Sequence, residues 1–241
     1  MKTHRITRVI GFVLGTVCAI PALPALASSI PIANASFEAN VQADNTQTNY
    51  SSTSWSSVLG NTCSPNCWGA VNPGLGHAGF PSGSVPDGNN FLGMVSGFAN
   101  VPVFQTLGAT LAADTIYTLT VAVGNPADRA DNKSFGFQLG LVGSGNTYAS
   151  FSSANMNSIT NGAFTELSAS STILAGNPDI GKTLVIQLFG PVGQGPGQPY
   201  IAFDNVRLTA VPAVPEPETY ALMVAGLGLL GFIARRKQGR L

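Results

Sequence analysis

Charged side chains are scarce in this sequence: eleven basic and eleven acidic residues among 241, or 9% of the chain. Most of the positive charge lies at the two ends. No clustered lysine and arginine face is left to neutralise phosphates, so a nucleic-acid partner is disfavoured. Within 28–211, Arg129, Lys133, Lys182 and Arg207 stand against nine acidic residues, a formal charge of minus five. Histidine and cysteine are scarcer still, with two and three copies. Beyond residue 27 only His77, Cys63 and Cys67 remain, too few ligands for a closed zinc site. Long apolar runs are missing as well. The most apolar stretch, 220–234, has fifteen uncharged residues, short of the ~20 that cross a bilayer comfortably. No amphipathic helix of four turns is written between the ends. Abundant Gly, Ser, Thr and Asn with short apolar pieces favour strands joined by turns.

Signatures of catalysis are also lacking. A serine hydrolase wants its nucleophile in G-x-S-x-G, and Gly93-Met94-Val95-Ser96-Gly97 has the serine one place late. No spacing of acids singles out the carboxylate pair that glycoside hydrolysis needs. Gly143-Ser144-Gly145 carries nothing else of a phosphate-binding fingerprint. The expectation is a protein that is not an enzyme.

The two ends are more legible. Lys2, Arg5 and Arg8 precede an apolar stretch over 9–20, and Ala25-Leu26-Ala27 is an A-x-A site. Residues 1–27 therefore read as a Sec-type signal peptide cleaved before Ser28. Val17 stands where a lipoprotein signal wants a small residue before Cys18. Export places the remaining cysteines in an oxidising compartment, where Cys63 and Cys67, separated by Ser64-Pro65-Asn66, are expected to form a local disulfide.

At the other end, over 212–241, Pro215-Glu216-Pro217 leads into the apolar run, and Arg235, Arg236 and Lys237 follow. Two prolines two apart keep that turn extended and accessible to a processing enzyme. The run is expected to form a transmembrane helix over 219–234, with the basic end 235–240 staying cytoplasmic. A plain single-span anchor is the alternative. The three-part order resembles the PEP-CTERM sorting signal of Gram-negative bacteria. That resemblance implies an exosortase as partner, transient residence in the inner membrane, then the cell surface or extracellular matrix. It also implies an association with exopolysaccharide and biofilm.

Between the ends, 28–211 is long enough for one domain with a core of its own. After the turn signal Asp87-Gly88, 91–95 and 101–107 are candidate strands, period-two patterns mark others at 116–123, 135–141, 184–188 and 200–209, and 164–173 is a weaker one. Asp204, Val206 and Leu208 fall on one face of the last. Residues 61–87, dense in Gly and Pro, read as a long loop. The fold class is all-β: a two-layer antiparallel sandwich of eight to ten strands.

N-x-S-F-E at Asn34–Glu38, Trp55, Y-T-L-T-V from Tyr117 and F-D-N-V-R-L from Phe203 are similar to galactose-binding-like jelly rolls and carbohydrate-binding modules. This resemblance implies that the first and last strands lie close together and that Glu38 and Asp204, with Asp44 and loop carbonyls, hold a structural calcium ion. Solvation of Glu38 and ordinary hydrogen bonding of Asp204 is the competing account. Trp68, Tyr50, His77, Trp55 and Phe80 are the aromatic candidates for a sugar platform; the strand position of Trp55 favours the core instead, and Trp68, beside the cysteine pair, is the better binding candidate. The function read from the sequence is thus an exported, non-catalytic surface or matrix protein with a possible polysaccharide ligand. The alternatives are a purely structural adhesive protein and a polysaccharide hydrolase.

Overall fold

The computed structural model describes residues 27–48, 52–57, 68–95, 102–129, 133–191, 200–213 and 217–238. Tyr50, Cys63, Cys67, Pro215, Glu216 and the leader to residue 26 lie outside the described residues.

Among the described residues, twelve strands form two antiparallel sheets. The larger sheet contains β1 (Ser28–Ile30), β2 (Thr46–Gln47), β4 (Trp68–Asn72), β5 (Phe91–Val95), β7 (Thr115–Asn125), β10 (Ala163–Ile173) and β12 (Tyr200–Pro212). Its order is β10-β7-β12-β5-β4-β2, with β1 also on β12. The smaller sheet runs β3-β6-β11-β8-β9, from β3 (Ser56–Ser57), β6 (Val103–Thr110), β8 (Phe135–Leu141), β9 (Thr147–Ser153) and β11 (Thr183–Phe189).

The alternation in the sequence explains the layers. Tyr117, Leu119, Val121 and Val123 of β7 are buried in one core with Phe137, Leu139, Leu184, Ile186 and Leu188 of the smaller sheet. Inner faces of two sheets thus supply a common core, as the two-layer expectation had it. The piece at 163–173, read as weak, is a full strand paired along its whole length with β7. Its hydroxyls form a ladder, Thr118 with Ser170 and Thr120 with Ser168 at 2.8 Å each, and this replaces the apolar signal that periodicity relies on.

Two expectations need correction. The supposed loop at 61–87 contains β4, whose Gly69 hides the strand pattern even though Trp68 and Ala70 face the core. The last strand does not keep Asp204 in phase with Val206 and Leu208. Between Asp204 and Arg207 the register against β7 slips by one residue, and Asn205 takes φ of 47°. Ile201 and Phe203 before this bulge, and Val206 and Leu208 after it, reach the core. A bulge adds one residue to one strand and re-aims its neighbours. The freed N–H of Val206 bonds Ala35 at 3.1 Å, which draws the segment around Glu38 to the bulge.

The C-terminal helix, α1 (Pro217–Gln238), belongs to a separate unit from Ala25–Val214. Pro217 opens it, at a position where a missing N–H costs nothing. Its described apolar side chains, Met223 to Ile233 among them, are exposed, as are Arg235 and Arg236. Among the described residues, no helix is long and apolar enough to cross a membrane. The transmembrane assignment over 219–234 is therefore corrected to a helix: fifteen uncharged residues rise only about 22 Å, against a hydrocarbon core of roughly 30 Å.

Candidate functional site

The face of the larger sheet turned away from the core has an unusual floor. Cross-strand pairing aligns Gly69, Gly93, Ala202 and Gly124 in one row across β4, β5, β12 and β7, and Phe164 of β10 closes it. Small residues there leave room for what lies on top. A second cluster, centred on Phe80, Phe91 and Ala202 with Val71, Phe164 and Tyr200 against it, fills one half. Phe80 lies 4.8 Å from Phe164 and 5.0 Å from Phe91 by ring centroid. A Cβ at Gly124 would sit 2.7 Å from Phe164 and 2.9 Å from Phe80, so glycine is what lets these rings lie on the sheet.

The other half of the row is open. There a cleft of about 560 Å³ has Gly69, Val71, Gly93 and Val95 as its floor, and Asn45, Gln47, Thr48, His77, Asp128, Arg129 and Tyr200 around it. That size suits a small organic molecule. Arg129 pairs with Asp128 at 2.8 Å and lies 5.6 Å above the Tyr200 ring. The pair leaves the wall close to neutral. Burial raises the Tyr200 hydroxyl well above its ordinary value, with the Asp128 charge adding to this and Arg129 opposing. Tyr200 Oη is buried without a hydrogen-bond partner and rests against Gly79, where any Cβ would collide with it. His77 Nδ1 accepts the backbone N–H groups of Gly79 and Phe80, both at 3.2 Å. Burial holds the imidazole below its ordinary value, Asp128 acting against this and Arg129 with it. The ring is thus neutral and carries its proton on Nε2.

A second cluster sits where the bulge meets the turn at 87–90. Asp204 is fully buried; Oδ2 accepts the Asp87 N–H at 3.0 Å, and Oδ1 has no partner. Burial pushes this carboxyl up to about 8, with the charges of Asp87 and Glu38 acting the same way against the N–H groups of Asp87 and Asn205. Glu38 accepts the N–H groups of Asn89 and Asn90, and Asn90 donates to the carbonyls of Phe37 and Asn40. Asn90 Oδ1 is also buried without a partner. These are hard oxygens of the kind calcium takes. Among the described residues, however, no three His, Cys, Asp or Glu side chains gather to hold a metal on their own.

The structure sorts the sequence candidates. Glu38 and Asp204 come together on the 87–90 turn. Asp44 does not join them, being packed against Gly74, and what Asp87 contributes is its backbone N–H, given to Asp204 Oδ2, and a nearby negative charge. Trp55 belongs to the core, the reading its strand position favoured over sugar binding: it is buried, donates to the Asn34 carbonyl at 3.0 Å and lies 5.4 Å from Phe37. Phe80 is likewise wholly buried, as the centre of the aromatic cluster. Trp68 borders the cleft but buries its ring in the core, with Nε1 unpartnered. His77 lines the cleft. Asp128, Arg129 and Tyr200 went unnoticed in the sequence. Only an Asp-Arg pair in a chain with so few cations could have pointed to them.

The sandwich carries a cleft of small-molecule size on its outer face, and a separate C-terminal unit follows it in the chain. The family described as HpiC1 cyclase matches residues 28–209, and the PEP-CTERM protein-sorting motif matches 213–237. The chain belongs to the HpiC1-like family and carries a PEP-CTERM tail, so it is exported for processing at the cell surface. Among solved structures it is similar to the apo form of a cyclase from Fischerella sp., with 27% identity, a TM-score of 0.66, and coverage of 78% of this chain and 98% of that one. A Stig cyclase from Fischerella sp. TAU in complex with (3Z)-3-(1-methyl-2-pyrrolidinylidene)-3H-indole is 26% identical, with a TM-score of 0.66 and coverage of 78% and 100%. A cyclase from the same source in complex with 4-(1H-indol-3-yl)butan-2-one is 26% identical, with a TM-score of 0.65 and the same coverage. Among curated proteins none matches. These findings overturn the expectation of a non-catalytic protein, because the domain is of an enzymatic, cyclase-like kind. The motifs sought in the sequence belong to hydrolysis. Ring closure within one substrate needs no nucleophile from the protein.

Proposed function

We propose that the domain is a surface-delivered cyclase-type enzyme that folds a small planar substrate over the glycine floor of the cleft, and that an exosortase of a Gram-negative host processes its tail. The match of the cyclase family across the whole sandwich carries this reading, and the cleft of about 560 Å³ supports it. Ring closure is favoured when a flexible substrate is held near its reactive geometry. A flat floor of Gly69, Val71, Gly93 and Val95 facing the Tyr200 wall serves that end. The test is to incubate the full chain with indoles bearing unsaturated side chains and to look by chromatography and mass spectrometry for isomers of unchanged mass. Absence of both turnover and indole binding would overturn the proposal.

The polar rim of Asn45, Gln47 and Thr48 favours a second reading, in which the cleft takes a sugar unit of exopolysaccharide and the protein works within a biofilm. Oligosaccharide titration alongside the indoles separates the two. Calcium enters as a proposal at the turn: Asp204 and Glu38 would supply carboxylates and Asn90 an amide oxygen, supported by the two buried oxygens without partners. Such an ion would fix the bulge and the turn.

A further inference from the structure

We infer that the cleft selects a neutral ligand bearing a hydrogen-bond acceptor, such as a carbonyl, and that the Nε2–H of His77 is the group that reads it; this rests on the cleft being the small-molecule site proposed above. Three observations combine. The backbone N–H groups of Gly79 and Phe80 both occupy Nδ1, which fixes the tautomer with Nε2 as donor. Among the described residues, no group accepts from Nε2, although His77 lines the cleft. The ring cannot swing away: it stacks on Phe80 at 6.3 Å and 19°, and meets Phe91 nearly edge-on at 6.4 Å and 83°.

Charge then narrows the ligand. Asp128 already matches Arg129 at 2.8 Å, so among the described residues that line the cleft no lysine or arginine is left over to favour a carboxylate. The apolar floor favours a flat body. A neutral planar molecule with one acceptor satisfies both, because an unmet donor facing a bound ligand must otherwise lose its water without replacement.

The experiment is calorimetric titration of the full chain with 4-(1H-indol-3-yl)butan-2-one and with 3-butylindole, which differs by lacking the oxygen. The wild type should bind the ketone about five- to tenfold more tightly, and indole-3-butyric acid no more tightly than the ketone. His77→Phe should bind both indoles with the weaker affinity, and His77→Gln should keep part of the preference. Because His77→Phe also removes the Nδ1 acceptor, nitrogen-15 spectra of the wild-type imidazole give a second readout: the ketone should shift Nε2 and 3-butylindole should not. Equal binding of both indoles by the wild type, or a preference that survives in His77→Phe, overturns the inference and leaves the cyclase reading standing. If neither indole binds, both readings fall.

Discussion

Asp204→Asn is the most informative single change. The wild-type carboxyl is buried, its Oδ1 has no partner, and its value is about 8 against an ordinary 3.8. The native state therefore keeps a proton that the unfolded chain releases. Stability is fully present below 3.8 and declines as pH rises toward 8. The slope is about 1.4 kcal/mol per pH unit, so the decline by pH 8 totals roughly 5 kcal/mol. Asparagine does not titrate. Its oxygen can still accept the Asp87 N–H, but its amide donors enter a pocket that held an unpartnered oxygen, at about 1–3 kcal/mol.

In EDTA the two stability curves should consequently cross, with wild type more stable at pH 4 and the variant more stable at pH 8. Urea unfolding followed by tryptophan fluorescence over this range measures both. Parallel curves would refute the buried-acid account. Calcium should raise wild-type stability at pH 8, where the ion can replace the proton, should do little at pH 4, and should leave the variant unchanged. No response of the wild type at pH 8 would refute calcium at the 87–90 turn.

Other expectations follow from the same geometry. Gly79→Ala places a Cβ against Tyr200 Oη and 2.9 Å from Asp128 Oδ1; thermal unfolding should show a loss of about 1–3 kcal/mol together with weaker indole binding. His77, held below its ordinary 6.5, should make stability fall as pH drops below 6.5 toward its lowered value, and His77→Gln should remove that slope in urea titrations. Asp179 is held at about 2 by hydrogen bonds from Lys182, Tyr148 and Asn146, so its contribution is present above 3.8 and lost as pH falls toward 2. Tyr148→Phe removes one of these donors, at 2.6 Å, and should move the acid unfolding midpoint to higher pH. Replacing Pro215, Glu216 and Pro217 by alanine should leave export intact and abolish tail removal, read by fractionation with a C-terminal tag; a tag retained in wild type when an exosortase is present would refute processing.

What the sequence displayed well was the inner layer. Residues facing a common core must alternate, so Phe135–Leu141 could be bounded from spacing alone, whereas Phe91–Val95, buried on both faces, showed only as a short apolar run after a turn signal. Where side-chain chemistry departed from that alternation, the reading failed. The Ser and Thr ladder of β10 weakened a full strand to a partial one, the glycine of β4 dissolved a strand into a loop, and the Asn205 bulge put Asp204 out of phase with its supposed neighbours. Each is a local exception imposed by tertiary pairing, which period counting does not see.

The site was hidden for a different reason. Gly69, Gly93, Gly124 and Ala202 are far apart in the chain and are united only by antiparallel register. Singly, each is an ordinary small residue in a strand; together they form a floor. Asp128, Arg129 and His77 then reach that floor from loops, where no periodicity constrains them. Glu38 and Asp204 could be paired in advance only through resemblance to a fold that brings its first and last strands together. Asp87, which completes their surroundings, has no mark in the sequence beyond a turn signal. Catalysis was missed because hydrolytic motifs are short local patterns, whereas a cleft that shapes its substrate is specified by packing on the outer face of a sheet.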